Sequence, residues 1–185
     1  RRCSRPLRLP FAGLLSHIGR TSVVIGRLAN ALPWGWCEVG IPHAPRWWRG
    51  FRERDLAGVR SVLEQTKSGQ AENQVLSDGS GVIADAELTP ERVVWLDDRD
   101  GLFLHTNHYL GEPYASRTDL PPFLADSRPR LARTEGLVAD RVGRLDAPSM
   151  SRIPSELAAS PPSTRRPAPL PGFWTAAPTV ARAPH

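Results

Sequence analysis

An α+β fold built on an antiparallel β-meander is what this sequence predicts, and three observations carry that expectation. Four short runs of β-type composition follow one another closely: Gln74–Leu76, Val82–Leu88, Arg92–Leu96 and Leu102–Thr106. Turn residues separate them, at Asp78-Gly79-Ser80-Gly81, at Thr89-Pro90 and from Asp97 to Gly101, where the glycine tolerates positive φ. Two segments with helical periodicity, 55–66 and 127–142, flank the meander.

Taken in order, residues 1–10 are rich in Arg and Pro and are expected to be disordered. Phe11-Ala12-Gly13-Leu14-Leu15 opens an apolar segment that runs through His17-Ile18-Gly19. Thr21-Ser22-Val23-Val24-Ile25 is β-branched and predicts a strand. Leu28-Ala29-Asn30-Ala31-Leu32 then leads into a loop with Pro33, Trp34, Gly35, Trp36 and Gly40, closed by Pro42 and Pro45. In the first helix Asp55 is the cap, Leu56, Val59, Val62 and Leu63 recur at helical spacing, and Ser68-Gly69 ends the run. A loop from Gly111 to Pro122 follows the meander. The second helix starts at Asp126 or Ser127 and turns Leu131, Leu137 and Val138 inward. From Ala147 to His185 the chain is rich in Pro, Ala, Ser and Arg without periodicity, and this tail is expected to be disordered. The expected organisation is one partial domain, 11–146, between two disordered ends.

Composition narrows the classes. No run approaches the ~18 apolar residues of a membrane span, and no secretory signal is visible, so a cytoplasmic location and no membrane partner are expected. The sequence starts without methionine and is read as a processed product, a fragment or an incomplete frame. A net charge of +5 suggests nucleic acid at first. However, Lys67 is the only lysine and the arginines are scattered. Only Arg46-Trp47-Trp48-Arg49-Gly50-Phe51-Arg52 combines charge with aromatics, either to stack bases or to start a helix that packs its tryptophans. Cys3 and Cys37 permit one disulfide without requiring it.

The chemistry-bearing stretch is Leu102-Phe103-Leu104-His105-Thr106-Asn107-His108. Four polar side chains stand in a row where a buried apolar run stops, and polar groups packed there must be partnered. The plain reading is a loop tied down by its own side chains. His105 and His108 would meet one metal on a helix, yet on a strand they point to opposite faces. No metal or other cofactor is therefore expected.

On these residues the sequence resembles the isopenicillin N acyltransferase (acyl-coenzyme A:6-aminopenicillanic acid acyltransferase) family, over about Phe11 to Leu145. The block His105-Thr106-Asn107-His108-Tyr109-Leu110 matches that family's hallmark. Asp85-Ala86-Glu87-Leu88-Thr89-Pro90 resembles its E-x-[ST]-P turn, and Ala125-Asp126-Ser127-Arg128-Pro129-Arg130-Leu131 its helix start. Weaker echoes are Gly13-Leu14-Leu15-Ser16-His17-Ile18-Gly19, Asn30-Ala31-Leu32 and Gly40-Ile41-Pro42-His43.

The resemblance implies an α+β fold of the αββα N-terminal-nucleophile type, here a partial sandwich. Such enzymes free a cysteine whose own α-amino group, with a reference pKa of about 7.7–8.0, acts as its base. The substrate is an amide or an acyl-coenzyme A thioester. By position Asn107 is the candidate catalytic residue, its side-chain N–H stabilising the oxyanion. His105, Thr106 and His108 orient the loop around it. The family's Gly-Cys-Thr nucleophile and Gly-Gln-Asn-Trp-Asp segment have no counterpart: Cys3 follows Arg2, and Cys37 follows Trp36. The nucleophile is therefore unknown, and a partner segment or chain carrying it is implied. The family's Asn-Ser-Ala-Gly is replaced by Arg20-Thr21-Ser22-Val23, and its C-terminal strands have no match in the proline-rich tail.

The expected function is thus a partial acyltransferase or amide hydrolase, inactive alone. The alternatives are a non-catalytic binding domain on the same scaffold and, the weakest of the three, a basic nucleic-acid-binding protein. With strands wanting at both ends, the isolated chain is expected to aggregate or to remain partly ordered.

Overall fold

The computed structural model describes residues 7–9, 18–20, 25–34, 39–97, 101–159 and 179–182. In chain order these form β1 (Leu7–Leu9), β2 (Ile18–Arg20), β3 (Gly26–Ala31), α1 (His43–Gly50), α2 (Leu56–Gln65), β4 (Glu72–Ser77), β5 (Ile83–Leu88), β6 (Val93–Leu96), β7 (Leu102–His105), α3 (Ser127–Ala139), α4 (Ala147–Ala159) and β8 (Thr179–Arg182). The class is α+β. Strands β1 to β6 form one antiparallel sheet in sequence order, and β7 pairs with β8 in a second.

Register decides which face each side chain serves. Leu76 stands opposite Arg27 and Ala84, and Gln74 opposite Ala29 and Ala86, with Trp95 beyond Ala86. Strand residues two apart share a face, so Glu72, Gln74 and Leu76 look the same way. On this face lie α1 and α2. Trp47 and Phe51 from α1, and Leu56, Val59 and Leu63 from α2, pack on Leu76, Ala86 and Leu88, with Ile25 beside them. The opposite face presents Asn30, Asn73, Asp85 and Glu87. Strand β8 lies against β3 and β4, and His105 at the end of β7 touches Glu87. Leu102 joins Val138 of α3, Ile153 of α4 and Leu145, with Leu104, Leu137 and Met150 around them.

The helix at 56–65 follows its expected pattern, with Asp55 extended and its carboxylate accepting from the Gly58 N–H at 2.8 Å. The three meander strands β4 to β6 also stand where the alternation puts them. Gly101 closes the turn before β7 with φ +71°, as its residue type requires. Residues 98–100 lie outside the described residues.

Several expectations are corrected. Strand β7 does not continue the meander. Its polar end is held by a carboxylate on the face of the sheet, which carries the strand across that face instead of along its edge. Of the strand expected at 21–25, residues 21–24 lie outside the described residues and Ile25 stands in the core; the next run, 28–32, is where strand Gly26–Ala31 forms. Pro45 does not close a loop but sits in the first turn of α1, where no helical hydrogen bond is lost. Helix α3 ends at Ala139, and Asp126 precedes it in a helical conformation without a side-chain cap bond. Within the ends expected to be disordered, Leu7–Leu9 pairs with β2, and Ala147–Ala159 is helical. Asp146 caps that helix, its carboxylate accepting from the Ser149 N–H at 2.8 Å, and Ile153 is fully buried.

Candidate functional site

The candidate site lies where the end of β7 meets the polar face of the large sheet. The alternation in Ile83-Ala84-Asp85-Ala86-Glu87-Leu88 turns Asp85 and Glu87 to that face, leaving small and apolar residues for the helices. Both carboxylates are buried, and so are Asn30, Asn73, His105, Thr106, Asn107, His108 and Ser127. Polar groups buried at this density persist only when they satisfy one another.

Glu87 organises the loop. Its Oε1 accepts from His105 Nε2 at 2.8 Å and from the Leu110 N–H at 2.6 Å, and its Oε2 accepts from the Gly111 N–H at 3.0 Å. One carboxylate therefore grips both ends of the polar block. Gly111 must be glycine here, since a Cβ would stand 2.7 Å from Val94 Cγ1 and 3.0 Å from Glu87 Oε2. The second nitrogen of His105, Nδ1, donates to the Thr106 carbonyl at 2.6 Å. A carboxylate and a carbonyl only accept, so both ring nitrogens carry protons and His105 is an imidazolium. Burial alone would lower its pKa, but the Glu87 hydrogen bond together with the charges of Asp85 and Glu87 raises it above the ordinary value. Asp85 accepts from Asn73 Nδ2 on one oxygen only, and burial pushes its pKa up from 3.8 to about 6 against the pull of His105.

The other half of the block is pinned to the start of α3. Thr106 Oγ1 donates to the Ser127 carbonyl at 3.0 Å, and the Asn107 backbone N–H donates to Ser127 Oγ at 2.8 Å. The Ser127 hydroxyl proton is shared between His108 Nδ1, 2.9 Å away, and Thr106 Oγ1 at 3.0 Å. Burial, with Arg128, His105 and Arg130 nearby, lowers the His108 pKa to about 4, so this ring is neutral where its neighbour is charged.

Asn107 stands between these anchors. Its Nδ2 donates to the Ala31 carbonyl at 3.0 Å, and its Oδ1 accepts from Arg130 Nη1 at 3.2 Å. A guanidinium only donates and a carbonyl only accepts, so the amide has one permitted orientation. Arg130 is itself braced by Asp126 at 3.2 Å. Beyond it, Tyr109 donates its hydroxyl to the Trp34 carbonyl at 2.8 Å, stacks on Trp34 and packs against Tyr114.

All four residues singled out in the sequence, His105, Thr106, Asn107 and His108, are therefore brought together and buried. Cys3 and Cys37, the two candidate thiols, lie outside the described residues. Asp85, Glu87, Ser127 and Arg130 lie in stretches that carry the resemblance, and Ser127 was a candidate helix start, but none of them was given a part in the site; Asn73 was not singled out. A usable signal existed for two of them: carboxylates at alternate positions of an otherwise apolar strand share one face. Chemically, the site offers a fixed amide donor flanked by a charged and a neutral imidazole. Ser127 and Thr106 are fully buried hydroxyls within the anchor, which suits them to holding the loop. No group of three or more His, Cys, Asp or Glu able to hold a metal ion occurs among the described residues, and none of their helices is long and apolar enough to cross a membrane.

No family model matches this chain, and no curated protein matches it.

Proposed function

We propose that this chain is the scaffold and oxyanion-donor part of an acyltransferase or amide hydrolase of the N-terminal cysteine nucleophile type, acting on an amide or an acyl-coenzyme A thioester. The observation that carries the reading is the locked amide of Asn107. An oxyanion donor is effective when it is already oriented before charge develops, and Arg130 and Ala31 supply that orientation. Helices α1 and α2 on one side of the large sheet, and β7, α3 and α4 on the other, agree with a partial αββα sandwich of that type. The sequence holds no Gly-Cys-Thr segment, so in this reading the nucleophile comes from a further segment and the chain alone does not turn over.

The test is a pair of measurements on the full chain. Calorimetry with a non-hydrolysable ketone analogue of an acyl-coenzyme A, in which a methylene replaces the thioester sulfur and the carbonyl is kept, is expected to show binding that weakens about tenfold in Asn107→Ala, for loss of one hydrogen bond of roughly 1.5 kcal/mol. No binding by either protein would sink the proposal. Mass spectrometry after incubation with the thioester itself is expected to show no acyl adduct on Cys3 or Cys37. An adduct that disappears in Asn107→Ala would keep the reaction class and overturn the inactivity.

One observation favours a non-catalytic binding domain as a second reading. The backbone N–H, the Oδ1 and one N–H of the Asn107 amide are all engaged inside the fold. Binding unchanged in Asn107→Ala would select it. The nucleic-acid reading loses its stacking pair, because Arg46 and Trp47 are buried and only Trp48 of the two tryptophans is exposed.

A further inference from the structure

On the helix-covered face of the large sheet lies a second buried polar cluster that the proposed function does not use. Arg27, 2% exposed, directs Nε at Gln74 Oε1 (2.5 Å), with Nη2 3.6 Å from Glu72 Oε2. Arg46, also 2% exposed, donates Nε to Thr66 Oγ1 at 3.1 Å and Nη2 to the Leu63 carbonyl at 3.2 Å. Its Nη1 stands 3.8 Å from the other oxygen of the same Glu72. Trp47 closes the cluster, its ring 4.2 Å from the Arg27 guanidinium and its Nε1 3.4 Å from Glu72 Oε1.

Charge does not balance there. His43 donates Nδ1 to Glu72 at 2.5 Å and presents Nε2 to Arg27 Nη2 at 3.4 Å. Two guanidinium charges then share one carboxylate. Burial lowers the pKa of Arg27 to about 9 against the pull of Glu72, which leaves it charged at neutral pH. Three donors in the cluster, Arg27 Nη1, Arg46 Nη1 and Gln74 Nε2, are buried without a hydrogen-bond acceptor. Orphaned buried donors that all carry or adjoin positive charge call for an anion.

We propose that Arg27, Arg46 and Gln74 bind a small inorganic anion of the halide class, which completes the charge left over by Glu72. A halide accepts from several N–H groups without directional demands, which suits a cluster whose orphaned atoms are all donors. His43, in the first turn of α1 with a side chain 13% exposed, marks the cluster's approach to solvent. The site lies on the face opposite Asn107 and stands independently of the proposed function.

Thermal unfolding of the full chain, followed at constant ionic strength while sodium gluconate is exchanged for sodium chloride or bromide, tests this. The melting temperature is expected to rise and saturate with either halide, by a few degrees for a site filled well above its Kd. Gln74→Glu places a carboxylate beside Arg27 and is expected to abolish the halide response. Crystals grown with bromide add a reading that needs no variant, an anomalous peak within hydrogen-bonding range of Arg27 Nη1. A melting temperature indifferent to the anion, a halide response retained in Gln74→Glu, or no bromide peak at Arg27 would each overturn the proposal in favour of a water.

Discussion

Asp85 and His108, which both feel the charge of His105, show how burial can drive two residues in opposite directions. Burial raises the carboxylic acid to about 6 and lowers the imidazole to about 4, so each favours its neutral form. The consequences for stability have opposite signs. Asp85 holds its proton more tightly in the folded state than its ordinary value of 3.8, so its contribution is present at low pH and is lost as pH rises towards 6. His108 holds its proton less tightly than its ordinary 6.5, so its contribution is present above that value and is lost as pH falls towards 4. Asp85→Asn keeps an oxygen for Asn73 and removes the titration. Relative to the parent, the variant is expected to gain roughly 3 kcal/mol of stability between pH 3.5 and 7, read from urea midpoints. A difference independent of pH would show that Asp85 ionises normally. At this scale the sequence was readable where chemistry was local. Four polar residues after Leu102-Phe103-Leu104 announce themselves. Arg130 and Ser127 stand out only as part of a helix start, because their roles at the site depend on where α3 meets the loop.

Among the elements, α2 and β4 to β6 follow from spacing alone, since each buries one face and carries its own boundary signals. Helix α4 did not. Pro148 and the proline content around it mask a helix in which, among the described side chains, Met150 and Ile153, one helical turn apart, are the anchors. Pro148 falls in the first turn, where a missing N–H is harmless. Ile153→Ala therefore tests whether this helix belongs to the fold. Truncating a buried isoleucine is expected to cost about 2–5 kcal/mol, whereas a surface position would change stability by less than about 0.5 kcal/mol. Denaturant unfolding at constant slope distinguishes the two.

Over the whole molecule, the large sheet separates two kinds of buried charge. Among the described residues, the helix-covered face has two arginines against one glutamate, and the other has two carboxylates against one imidazolium. Adjacent residues of β4 and β5 point into these two environments, Gln74 beside Asn73 and Ala86 beside Glu87, so slipping the register by one would exchange them. Burying the wrong sign among unpaired groups costs several kcal/mol per ion, and this makes the pairing of β3, β4 and β5 strongly specified. The fold class was legible because the apolar pattern sets it. The opposition of charge across the sheet appears only once the strands are paired.

The pairing of Leu102 with Arg182 and His105 with Thr179 has a consequence in time. During synthesis, β4 to β6 find their neighbours almost as soon as they emerge, whereas β7 waits for a strand made far later. At about 5–20 residues per second that interval is on the order of ten seconds, long compared with hairpin formation. For that period the apolar Leu102-Phe103-Leu104 offers an open edge to any nascent strand nearby. Pulsed hydrogen exchange during refolding should show β4 and β5 amides protected first and those of β7 last. The strand that delivers Asn107 is therefore expected to close after the strands whose face it lies against.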